Sequence, residues 1–210
     1  MKVAIMQPYF FPYGGYFQLM KSVDKFIFLD DVQYVRRGWI NRNKISDPSK
    51  KSQINLTVPV KKSTQNTLIL NMKICDGWVE KHLKTFKHVY GKTVISHSLY
   101  KFYSSFNDFD SLNELLIASL TWTANYLKIK NDFMTSSEIN CDGRGQDKII
   151  NLCKAVNGTE YCNLPGGINL YNSDFFEKNG LKLNFIDTSY HERISILETI
   201  FHENISSLRF

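Results

Sequence analysis

Lys2-Val3-Ala4-Ile5-Met6-Gln7-Pro8 is a short apolar run, and Tyr9-Phe10-Phe11-Pro12-Tyr13-Gly14-Gly15 follows it directly. A run this brief, stopped by a proline that cannot donate to a sheet ladder, reads as a buried strand with Gln7 at its carboxyl end. Pro8, Pro12, Gly14 and Gly15 then enforce a loop. Tyr16 to Val23 has apolar residues at helical spacing, and Lys25 to Leu29 is a second apolar strand, ended by Asp30-Asp31. A strand, a loop with a helix and another strand within about thirty residues predict a right-handed βαβ unit with parallel strands.

Outward from this unit the pattern changes. Ile54, Leu56, Val58 and Val60 alternate, as do Leu68, Leu70, Met72 and Ile74. Period two predicts two half-buried strands forming a hairpin-like pair around Lys61 to Asn66. Trp78, His82 or Leu83, Phe86, Val89 and Tyr90 recur at helical spacing, with Asp76 as the expected N-cap, and Asp110 to Lys128 is the longest helical stretch. The last third alternates: strand over Asp132 to Thr135, helix over Asp147 to Val156, strand over Glu160 to Cys162, helix over Phe175 to Lys178, strand over Leu181 to Ile186 and a terminal helix over Ile194 to Phe201. Asn157-Gly158 and Asn179-Gly180 stop two of the helices. This spacing predicts the α/β class: one layered domain over residues 1–210, with a mostly parallel sheet and flanking helices.

Composition agrees. The chain has 210 residues, 43% of them hydrophobic and 22% charged, which excludes disordered, collagen-like and low-complexity classes. No stretch reaches the roughly 20 apolar residues of a membrane span, and the first segment has no signal-peptide core, so a cytoplasmic protein is expected. Cys75, Cys141, Cys153 and Cys162 contain no C-x-x-C pair and are read as reduced thiols, with no metal site. The net charge of +6 is local. Arg36, Arg37, Arg42, Lys44, Lys50, Lys51, Lys61 and Lys62 face a single acid, Asp47, within one stretch. Such a stretch is either a solvated loop or a surface for phosphates or an acidic partner. Duplex nucleic acid is not expected, since no helix-turn-helix, zinc-finger or stacking-aromatic pattern accompanies it.

Ligands of open parallel sheets bind outside the carboxyl ends of the strands, near the point where strand order reverses. The first strand would deliver Gln7, Tyr9 and Tyr13 there, and the second Asp30, Asp31, Gln33 and Tyr34, with Trp39, Asn41, Arg42 and Asn43 just beyond. Amides, carboxylates, phenols, an indole and a guanidinium suit a sugar, a nucleotide or an acylated carrier arm. The same aromatics also suit a core, and the aspartates a turn. Of the pair, Asp31 is the expected site residue. His82 is the best general-base candidate because its resting pKa lies near neutrality. His82 and His88 lie six residues apart and cannot share a metal from one helix face. Asn163-Leu164-Pro165-Gly166-Gly167 to Tyr171 could let backbone approach a ligand, but it matches neither a dinucleotide fingerprint nor a P-loop and reads first as a plain strand-to-helix turn.

Met6 to Phe17, Phe28 to Tyr34 and Gly38 to Asn43 together closely resemble the WbqC-like family. The likeness continues through Leu56-Thr57-Val58-Pro59-Val60, Trp78 to Tyr90 and Pro165 to Tyr171. It departs at Tyr190-His191-Glu192-Arg193 and Phe201-His202-Glu203, where a proline-rich approach and a Leu-Phe-Asn-like ending would be expected. The resemblance implies a place among bacterial O-antigen and other surface-polysaccharide proteins and transfer of glycine onto an amino sugar. A looser similarity links Pro12 to Tyr16 with the loop of nucleotidylyltransferase-like folds, without their histidines.

The expected function is therefore aminoacyl or acyl transfer to the amine of a nucleotide-linked deoxyamino sugar. His82 or Asp31 would act as base, and Gln7, Asn41 and Asn43 as amide contacts. Tyr9, Tyr34 and Trp39 would form stacking walls, and Arg42 the phosphate contact. The donor would be a carrier-protein thioester or another activated acyl group, and the basic stretch would attract the nucleotide diphosphate or an acidic carrier. Two alternatives are a nucleotidyl or phosphate-group transferase, with a magnesium ion on Asp30 or Asp31, and a non-catalytic assembly module of the same pathway.

Overall fold

A computed structural model describes residues 1–188 and 194–202. Tyr190 to Arg193 and Glu203, where the chain departs from the family pattern, lie outside the described residues. Strand β1 (Lys2–Met6) leads into helix α1 (Gly14–Lys21), and β2 (Lys25–Phe28) follows. An antiparallel hairpin, β3 (Arg42–Asp47) with β4 (Ser52–Thr57), comes next. Helices α2 (Val79–Tyr90), α3 (Ser98–Ser104) and α4 (Leu112–Tyr126) fill the middle of the chain. The rest runs β5 (Asp132–Thr135), α5 (Ser136–Ile139), α6 (Gly145–Ala155), β6 (Glu160–Asn163), α7 (Ser173–Lys178), β7 (Lys182–Phe185) and α8 (Ile196–Phe201).

The main sheet has the order β5-β2-β1-β6-β7, and every neighbouring pair is parallel. Alternation within the strands sorts the two faces. Ala4, Phe26, Phe28 and Cys162 join the larger core with α1, α3, α4 and α8, whereas Val3, Ile5, Ile27 and Tyr161 pack with α6 and Phe176 of α7. Buried on both faces, the strands can be short and apolar, as parallel sheets require. The mixed α/β architecture is thus as the element spacing predicts. Nothing in the arrangement confirms the nucleotidylyltransferase-like expectation for the N-terminus.

Three local readings need correction. Leu68 to Ile74 is not a strand; a 3-10 turn occupies Ile69–Asn71, and the segment touches three separate stretches through single bridges, Gln33 to Leu68, Val60 to Ile74 and Lys73 to Ser111. The true partner of β4 is β3, whose inward positions include Asn43 and Asp47, so its alternation is hidden by polar residues. Asp76 does not cap α2, whose N-cap residue is Trp78, with no side-chain capping bond.

One buried carboxylate ties the end of β2 to α4 and α5. Asp30, 1% exposed at the end of β2, accepts bonds from Ser137 N (3.0 Å), Ser137 Oγ (2.8 Å) and Asn113 Nδ2 of α4 (2.9 Å), and lies 3.1 Å from Ser136 Oγ, whose one hydrogen it shares with Asp31. Next to it, Asp31 accepts from Lys148 Nζ of α6 (2.6 Å) and Ser136 Oγ (2.5 Å). Truncating Asp30 strands several buried donors, each of which then bears its desolvation penalty. Asp30→Ala is expected to lower the unfolding free energy by about 3 kcal/mol in urea titrations, with a larger loss than Asp30→Asn.

Candidate functional site

The strand order reverses at β1, because β2 and β6 flank it on opposite sides. A cleft of about 460 Å³ opens at the carboxyl ends of β1 and β6, where diverging loops leave a crevice. Ile5, Met6 and Leu29 form its apolar floor. Tyr9, Pro12, Tyr13 and Tyr16 make one wall, and Asn163 to Tyr171 supplies the facing one through Asn163, Leu164, Gly166, Gly167, Leu170 and Tyr171. Gln7, Trp39 and Asn43 complete the lining. Its only ionisable side chains among the described residues are tyrosines.

The first wall is held by an unusual backbone. Phe11 sits at φ 42°, in the left-handed region that non-glycine residues rarely occupy. Asn43 Nδ2 donates to Phe10 O (3.1 Å) and Phe11 O (2.6 Å), Ser195 Oγ donates to Phe11 O (2.8 Å), and Ile196 N bonds Pro12 O (3.0 Å). Such a conformation costs about 1–3 kcal/mol and persists only where the surroundings over-determine it. The Phe10 and Phe11 rings insert among Trp78, Tyr103 and Phe106, with Phe11 stacked on Tyr103 at a centroid distance of 5.8 Å. The loop is thus pinned from below, and Pro12 and Tyr13 face the cleft.

The opposite wall carries a hydroxyl chain. Asn163 Nδ2 donates to the Tyr161 hydroxyl (3.0 Å), which donates to the Tyr171 hydroxyl (3.1 Å). Tyr171 is thus an acceptor in this chain, and its own hydrogen is available to the cleft. Burial raises the Tyr171 and Tyr9 phenols above their ordinary value, so both are neutral donors near pH 7. Tyr9 Oη donates to Gln7 Oε1 (3.3 Å) and Tyr16 Oη to Gln7 O (3.0 Å), leaving Gln7 Nε2 with no partner among the described residues. Gly167 permits this packing: a Cβ there would lie 2.8 Å from Asn163 Nδ2 and 3.4 Å from the Tyr171 ring.

Of the residues singled out from sequence, Gln7, Tyr9, Tyr13, Trp39 and Asn43 line the cleft; Asn43 spends both amide hydrogens on the loop. Asp30, Asp31, Gln33, Tyr34, Asn41, Arg42 and His82 do not line it. Asp30 and Asp31 belong to the clamp described above, and Gln33 Nε2 donates to Gln65 O (2.8 Å). Asn41 Nδ2 donates to Val58 O (2.8 Å). His82 is 7% exposed; its Nε2 accepts from Thr57 N (3.2 Å) and its Nδ1 lies 2.6 Å from Tyr103 Oη. The facing wall after β6 was legible only as a glycine-rich turn. Its signal is the run Asn163 to Tyr171, but the pairing of β1 with β6 that makes it a wall spans most of the chain.

Burial pulls the His82 pKa down to about 4. Between about pH 6.5 and 4 the unfolded chain takes up a proton that the native chain refuses, so this histidine's contribution to stability is complete above pH 6.5 and is lost as pH falls. From pH 7 to pH 5 the wild type should lose about 2 kcal/mol through this residue. Urea titrations at the two pH values should show a smaller difference for His82→Gln than for wild type.

A sequence model described as the WbqC-like protein family matches residues 7–208. The chain is also similar to uncharacterized protein Rv1507c of Mycobacterium tuberculosis (strain ATCC 25618 / H37Rv), at 27% identity over 194 residues, covering 89% of this chain and 82% of that protein. No solved structure matches. No helix among the described residues is long and apolar enough to cross a membrane. With the match running from the carboxyl end of β1 past the last described helix, the chain belongs to the WbqC-like protein family.

Proposed function

We propose that the cleft binds a nucleotide-linked amino sugar and that the protein transfers an aminoacyl or acyl group to the sugar amine. The observation that carries this reading is a cleft lining of phenols, an indole and three amides with no carboxylate, histidine, lysine or arginine among the described residues. Aromatic faces and a few placed donors suit a sugar ring. Amide formation needs a neutral amine, and a desolvated wall without a carboxylate disfavours the ammonium form. The amine nitrogen attacks the activated carbonyl carbon, a C–N bond forms, and the carbonyl oxygen becomes an oxyanion. Tyr171 Oη and Gln7 Nε2, both on the cleft lining, would be the donors for that charge. Collapse breaks the bond to the leaving group, a thiolate in the case of a carrier-protein thioester, and the leaving group takes the amine proton.

The metal-dependent phosphate-transfer alternative has less support, because Asp30 and Asp31 are engaged by Asn113, Ser136, Ser137 and Lys148. The same absence of an acid or base from the wall favours a second reading, a sugar-binding module that performs no chemistry.

Incubating the purified protein with a nucleotide-linked amino sugar and a panel of glycyl and acyl donors should yield an amide detectable by mass spectrometry. Saturable sugar binding with no product from any donor would favour the binding module. Tyr171→Phe should lower kcat by about a hundredfold, as loss of one oxyanion donor does, whereas Trp39→Ala should act chiefly on KM.

A further inference from the structure

We propose that Arg42, Arg36 and Tyr34 form an anion subsite that takes a phosphoryl group, beside the cleft and separate from its wall. Arg42 is held at the start of β3 by backbone pairing with Thr57. Its Nε is shut away from solvent and has no hydrogen-bond acceptor. Other buried polar atoms also lack partners, but this is the permanently charged donor among them. None of the described ion pairs involves Arg42 or Arg36; the carboxylates in those pairs are Asp132, Asp110, Asp47 and Asp31. A guanidinium donor withdrawn from water without a partner is costly, and a phosphate offers the acceptors whose spacing matches its fork.

Two further observations concern the stretch that leads into Arg42. Arg36 Nη2 donates to Ser63 O, which orients its guanidinium while leaving other N–H groups unspent. The turn beneath it is set by Arg37 at φ 62° and by a bond from Gly38 N to Val35 O (3.4 Å). Tyr34, 6% exposed, lies within the field of both arginines: burial raises its phenol, and Arg42 and then Arg36 pull it back down. Its phenol adds a neutral donor to two cationic ones.

The ligand class is a phosphate or diphosphate ester. Tyr34 to Asn43 also supplies Trp39 and Asn43 to the cleft, so one stretch of chain would read both the sugar and the diphosphate of a nucleotide-linked sugar. That link rests on the function proposed above; the anion subsite stands without it.

Titration calorimetry at low ionic strength, with pyrophosphate, a nucleoside diphosphate and an unphosphorylated amino sugar as separate probes, tests the assignment. Wild type should bind pyrophosphate and the nucleoside diphosphate, more weakly as salt rises. Arg42→Gln and the exposed-turn variant Arg36→Gln should each weaken both by at least tenfold, and Arg42→Lys by less. Bound anion offsets the arginine charges, so ultraviolet titration should show one tyrosine moving to higher pKa on adding pyrophosphate, a change lost in Tyr34→Phe. No pyrophosphate binding at millimolar concentration, or equal binding by wild type and both Gln variants, overturns the subsite. Pyrophosphate binding without sugar binding sinks the cleft reading and leaves this one intact. Equal affinity for pyrophosphate and the nucleoside diphosphate overturns the nucleotide link alone.

Discussion

Strand β1 is hydrogen-bonded to parallel neighbours on both edges, β2 on one side and β6 on the other. Parallel neighbours cannot be joined by a tight turn, so the chain must leave β1, build outward through β2 to β5, and then cross back to start again at β6. The loops that follow β1 and β6 are therefore carried away in opposite senses and cannot close over the end of the sheet. The cleft is the space they leave. Its chemistry follows from which loops those are: the aromatic run after β1 and the Asn163 to Tyr171 run after β6.

That space would collapse if the first loop were free to fall inward. Phe10 and Phe11 anchor it by leaving the cleft for the aromatic cluster of α2 and α3, and the Asn43 amide fixes the left-handed residue between anchor and wall. The anchor explains why His82 is a poor candidate for proton transfer. It sits in that cluster, 6.3 Å from the Phe10 ring centroid, and both ring nitrogens already have partners. Here the polar residues of strongest catalytic promise hold the scaffold, and neutral groups face the open space.

How much of this was legible depends on range. The strands of the parallel sheet announce themselves because each is a short apolar run next to a turn signal, and Asn-Gly pairs mark where α6 and α7 stop. Strand β3 is silent because two of its inward positions are polar, Asn43 and Asp47, the latter accepting from Ser49 through Oδ1. Helix α5 is short, yet Thr135 and Glu138 form a capping box that local chemistry does encode. On the cleft, the residues next to β1 were accessible from sequence because they follow the strand directly. The opposing wall was not, since only the adjacency of β1 and β6, set by pairing such as Lys2 with Glu160, brings it there. Asp30 and Asp31 misled for a related reason: a carboxylate pair at a strand end looks the same in sequence whether it faces solvent or the serines that begin α5.

Ser195 closes the loop around Phe11 from 184 positions away, and Lys44 and Pro12 receive backbone bonds from Ser195 and Ile196 at the start of α8. On the ribosome, the loop after β1 therefore waits, with its left-handed residue only partly held, until the chain through Ile196 has emerged. The wall after β1 is therefore completed only after every strand of the parallel sheet has been made, and a chain released before that point would leave the aromatic loop short of its bonds to Ser195 and Ile196.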